Sequence, residues 1–91
     1  MSSIGQKYNK LCEAMNSEAN QKRSIVVHGE VVEFWELFAN GCNNARDTDY
    51  KADGLDGREG SEDWCRIAVG TIEGYFDESG NWETFKQLLA N

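Results

Sequence analysis

Glu30-Val31-Val32-Glu33-Phe34-Trp35-Glu36-Leu37-Phe38-Ala39-Asn40-Gly41-Cys42-Asn43 is the stretch that decides how this chain is read. On a helical wheel Val31, Val32, Phe34, Trp35, Leu37, Phe38, Ala39 and Cys42 cover more than half of the circumference, leaving a thin polar stripe of Glu33, Glu36, Asn40 and Asn43. So apolar a helix belongs at the centre of a fold, with neighbours on several sides. Residues 30–43 are therefore expected to form the core helix, with Trp35 and Phe38 among its principal anchors.

Upstream, Ile4, Tyr8, Leu11, Cys12, Met15 and Ala19 recur at helical spacing, which predicts a first helix over 3–22 with one buried face. Between the two lies the β-branched run Ile25-Val26-Val27, followed by His28-Gly29. A short extended segment near 24–28 is favoured there over continuous helix. Downstream, Ser61 has the character of an N-cap, with Glu62 and Asp63 suited to the positive end of a helix. Trp64, Cys65, Ala68, Val69, Ile72, Tyr75 and Phe76 share one face of that helix, which should run to about Phe76. Asp77 to Asn81 reads as a turn, and Trp82, Phe85, Leu88 and Leu89 mark a last short helix. The chain lacks proline, so no missing N–H breaks these elements. The expectation is an all-α fold: one compact domain over 1–91, of about four helices, with a long acidic loop.

That loop, residues 44–60, carries Gly54, Gly57 and Gly60 at every third position among repeated aspartates, a composition of turns. Loops this long are uncommon in small domains and are more often functional or mobile than idle. Asp49, Lys51, Asp53 and Gly54 fall on the first, third, fifth and sixth places of an EF-hand-like register. The match fails because lysine replaces an oxygen ligand, Asp56 takes an aliphatic place and Gly60 replaces the bidentate glutamate. A solvated acidic loop is the expectation, with no metal and no cofactor.

The net charge of −7 is unevenly distributed. Residues 1–29 balance at +2, whereas residues 30–91 carry fourteen acidic against five basic side chains, a balance of −9. Such a surface repels nucleic acid and anionic lipid and attracts basic proteins, which argues against direct nucleic-acid or membrane binding. The N-terminal residues do not resemble a secretion signal, and Ile25-Val26-Val27, the longest aliphatic run, is too short to span a bilayer. A cytoplasmic protein is expected. Cys12, Cys42 and Cys65 are odd in number, widely spaced and on apolar stripes, so they read as buried free thiols. His28 is the only histidine, and nothing in the sequence brings it to a thiol. No nucleophile elbow or phosphate-binding loop is present, so an enzyme is not expected.

Two features remain. Gly70 and Gly74 fall on the side of their helix opposite the aromatics, where glycine costs about 1 kcal/mol each relative to alanine. Either another backbone approaches there, from this chain or from a partner, or the glycines are merely tolerated. The carboxylates Glu30, Glu33, Glu36, Asp47, Asp49, Asp53, Asp56, Glu59, Glu62 and Asp63 form the other feature. Rows of carboxylates can imitate phosphates and occupy a basic groove, although most charge runs simply solvate a surface. The expected function is a non-enzymatic protein-binding module: a small acidic inhibitor or nucleic-acid mimic docking on a basic, nucleic-acid-binding protein. The size and charge suit the inhibitors that phages and mobile elements direct against host nucleases and defence complexes. The alternative is a structural or assembly subunit that forms a homo-oligomer through Gly70 and Gly74.

The failed ligand positions give a direct prediction. Calorimetry with calcium should show no stoichiometric site tighter than about 10 μM, and a tighter one would restore the EF-hand-like register as a calcium site.

Overall fold

A computed structural model of the chain describes residues 3–90. In order, the elements are α1 (Ile4–Ala14), α2 (Glu18–Gln21), β1 (Ser24–Val27), β2 (Glu30–Glu33), α3 (Phe34–Asp47), a 3-10 turn (Lys51–Asp53), α4 (Glu62–Glu78) and α5 (Trp82–Ala90). The fold is mostly helical, with one two-stranded antiparallel sheet.

The sheet corrects the reading of residues 30–43. Val31 and Val32, expected on the core helix, instead pair with Val26 and Ile25, and Glu30 and Glu33 pair with Val27 and Ser24. His28 and Gly29 connect the strands with φ of 51° and 81°, the positive pair of a type I′ turn. The extended segment expected near 24–28 is thus the first half of a hairpin. β-Branched residues on both sides of a two-residue turn gain more from cross-strand pairing than from a helix. The helix starts only where the hairpin closes: the Phe34 N–H donates to the Arg23 carbonyl at 3.0 Å, and the Glu33 N–H to Glu36 Oε2 at 2.8 Å. The displaced start turns Trp35 outward, to 44 % exposure, so it is not a core anchor. Phe34 and Leu37 are buried in its place, and Phe38 is half-buried.

The first helix is also shorter than 3–22. Ser3 and Gln6 form a reciprocal capping box at the start of α1, but the helix ends at Ala14. Ser17 restarts the chain as the N-cap of α2, accepting the Asn20 N–H at 3.3 Å. The redirection leaves Ala19 exposed. The described residues accordingly form five α-helices, one more than expected. At the other end α3 reaches Asp47, so residues 44–47 are helical and the loop is shorter than read.

The core forms where α3 crosses α4. A Cβ on Gly41 would lie 2.6 Å from Ile72 Cγ1 and 2.8 Å from the Ala68 carbonyl oxygen. Gly41, Ala45 and Ala68 together let the two backbones approach, and Asn44 Nδ2 donates to Thr71 Oγ1 at 2.7 Å beside them. On one side of this crossing Phe34, Phe76 and Phe85 pack with Leu11, Val69, Ile72 and Leu88, together with Ile25 and Val27 from the inner face of β1. On the other side Tyr50, Trp64 and Cys65 pack on Ala45 and Ala68. Tyr8 bridges the two groups, with its ring edge-on to Trp64 at 5.3 Å.

Denaturation should separate these roles. Phe34→Ala or Phe76→Ala should cost about 3–5 kcal/mol, because each empties a fully buried aromatic site. Trp35→Ala should cost about 1 kcal/mol or less. Gly41→Ala should cost about 1–3 kcal/mol by overpacking, so a stability equal to the parent's would refute the close crossing.

Candidate functional site

The acidic loop is held to the body of the protein by one of the chain's aromatic residues. Tyr50 is 6 % exposed, its hydroxyl donates to the Ala45 carbonyl at 2.7 Å, and its carbonyl accepts the Leu55 N–H at 2.9 Å. A Cβ on Gly57 would lie 2.8 Å from the Tyr50 ring, so the loop passes directly over that ring. The far end is tied as well: the Asp56 N–H donates to Asp63 Oδ2 at 2.9 Å, and Ser61 Oγ donates to the Asp56 carbonyl at 2.8 Å. Ser61 also caps α4, accepting the Trp64 N–H at 3.2 Å as expected. An aromatic residue among aspartates was the available signal for the anchor.

This scaffold divides the ten carboxylates into two groups. Several serve the fold. Asp49 accepts the Ala52 N–H, Asp56 is clamped by Arg58 with Nη2 at 2.7 Å, and Glu62 and Asp63 both pair with Arg66. Glu33 accepts Trp35 Nε1 at 2.9 Å, and Glu36 holds the Glu33 N–H. The carboxylates of Glu30, Asp47, Asp53 and Glu59 are exposed and, among the described residues, enter no hydrogen bond or ion pair. Glu30, Glu33 and Glu36 are not successive positions on one helix, because the first two lie on β2. The helical carboxylate spacing expected for them does not apply.

Of the alternatives for Gly70 and Gly74, a backbone of this chain packed on them is absent among the described residues. A Cβ on either would meet nothing within 4 Å, so among the described residues no other backbone approaches them. The glycine at a close backbone approach is Gly41, hidden in the apolar stretch. A contact at Gly70 and Gly74 would have to come from a partner or a second copy; otherwise the two glycines are simply tolerated.

The cysteines are brought together, which their spacing did not reveal. The Tyr8 hydroxyl lies 3.9 Å from Cys42 Sγ, and Cys65 is near enough to feel the charge of Cys12 and Cys42. Burial, and then the Cys12 thiol, push the Tyr8 phenol above its ordinary value. Burial also raises the thiols of Cys42 and Cys65. Raised thiols are poor nucleophiles at neutral pH. Cys65 is buried as read, while Cys12 and Cys42 are only half-buried.

Among the described residues no three carboxylate, thiol or imidazole groups converge as a metal site would need, and no helix is long and apolar enough to cross a membrane. An open depression beside the Tyr50 anchor is lined by Arg46, Lys51, Leu55 and Arg58, with Asp49 and Asp56 among these cations. Comparisons with protein families, curated proteins and solved structures give no match.

The Asp56–Arg58 clamp should be visible by titration. The side-chain hydrogen bond from Arg58 lowers the Asp56 carboxyl from 3.8 to about 2. A depressed folded-state pKa stabilises the fold above the ordinary carboxyl range, and that contribution is lost as pH falls from about 4 towards 2. Carbon-detected NMR should find this titration near pH 2, moving back towards 4 in Arg58→Ala. A normal value in the parent protein would show that the clamp does not form in solution.

Proposed function

We propose that this chain is a non-enzymatic protein-binding module, a small acidic inhibitor or nucleic-acid mimic that docks on a basic protein surface in the cytoplasm. The observation that carries the reading is the set of carboxylates left over by the fold. Glu30, Asp47, Asp53 and Glu59 are exposed and unused, in a chain whose residues 30–91 balance at −9. Charges that a fold does not use cost self-repulsion and give the structure nothing in return. A basic partner supplies the compensation, and its affinity for phosphates makes it the kind of protein that otherwise binds nucleic acid. The Tyr50 anchor supports the reading further, because a loop held at both ends loses less entropy on docking. For the inhibitor role, with its viral or mobile-element source, the only support is that size and charge suit it.

Affinity capture from the native cell supplies the partner, and competition supplies the test. Duplex DNA or RNA should displace the protein from a basic partner that it mimics nucleic acid to reach. The triple variant Asp47→Asn, Asp53→Asn, Glu59→Gln should keep its melting temperature and associate about tenfold more slowly, with little change in release, since exposed charges mainly steer encounter. Unchanged association together with no displacement would reduce these carboxylates to solvation.

A further inference from the structure

The hairpin carries an apolar surface that the fold does not cover. Ile25 and Val27 face the core, whereas Val26 and its cross-strand partner Val31 face outward at 54 % and 70 % exposure. Trp35 continues that surface, its indole pinned to Glu33, which lies two residues beyond Val31 on the same face of β2. A shallow depression lined by Val32, Trp35, Glu36 and Leu37 runs beside it.

The two edges of this sheet are treated differently. Across a two-residue turn Val27 and Glu30 exchange backbone hydrogen bonds, so the polar groups of Val26 and Val31 point away from each other, to opposite edges. On the β1 edge Asn81 Nδ2 donates to the Val26 carbonyl at 2.9 Å. On the β2 edge the Glu33 N–H is held by Glu36, and among the described residues nothing engages the N–H or C=O of Val31. An open strand edge beside exposed β-branched and aromatic side chains is a template for another strand.

The charge around that edge selects its occupant. Glu30, Glu33 and Glu36 border it, so a second copy would bring its own three carboxylates against this row, and like charges on adjacent strands destabilise pairing. We propose that the β2 edge takes up an extended, basic segment of a partner protein as a third strand, pairing through Val31. Apolar side chains of that segment lie on Val26, Val31 and Trp35, and its lysines or arginines meet Glu30, Glu33 and Glu36. The inference rests on the acidic docking reading and names the place and the partner's chemistry.

Two synthetic ten-residue peptides of equal charge test it, one alternating valine with lysine and the other alternating serine with lysine. With the full chain labelled for NMR, the valine peptide should shift the Val31 amide and the Trp35 indole, slow hydrogen exchange at Val31, and bind at least about tenfold more tightly than the serine peptide. Val31→Lys, an exposed substitution, should abolish that preference without changing the melt. Equal binding of both peptides, with shifts confined to residues 47–59, would overturn the edge inference and leave the acidic docking reading standing. Binding of neither would overturn both. Hairpin signals that shift with the protein's own concentration would overturn the inference by making a second copy the occupant.

Discussion

The separation at which α3 crosses α4 is the constraint on which the rest of this structure depends. Gly41 sets it, because any side chain there would run into Ile72 and the Ala68 carbonyl. With the helices this close, Phe34 and Leu37 enter one side of the crossing, while Ala45 and the ring of Tyr50 close the other. Both surfaces proposed for docking hang from these ends. The hairpin joins α3 at its first turn, and the acidic loop leaves from its last.

The consequence is a division of labour among charges. Carboxylates near an arginine or an unpaired N–H shape the loop and the helix starts, as Asp56, Asp63 and Glu36 do. Those at Glu30, Asp47, Asp53 and Glu59 are spared that work. Exposed pairs such as Glu62–Arg66 contribute little to stability, so the fold rests on its apolar crossing and tolerates a strongly negative surface.

Much of the helical architecture was legible in the sequence, because α4 is long, α4 and α5 are both periodic, and Ser61 and the turn near Gly80 punctuate them. The hairpin was half legible. Ile25-Val26-Val27 showed its β-branched character, but Val31 and Val32 also fit a helical wheel, and short apolar runs satisfy either period. His28-Gly29 decides between them only through the positive φ at both residues, which histidine seldom adopts and which a pattern of apolar positions cannot express. The same ambiguity placed Trp35 inside. Of the surface carboxylates the sequence told their number and region. Which of them the fold consumes depends on contacts across the chain, such as Asp56 to Asp63, and on local geometry that composition does not carry.

The proposed function requires a basic partner to land on carboxylates the fold leaves unused. Its most direct test is the association rate of the captured partner measured across a salt series. The screening length falls from about 10 Å at 0.1 M to about 3 Å at 1 M, so steering by these charges should fade and association should slow steeply over that range. An association rate that stays flat with salt would contradict the account.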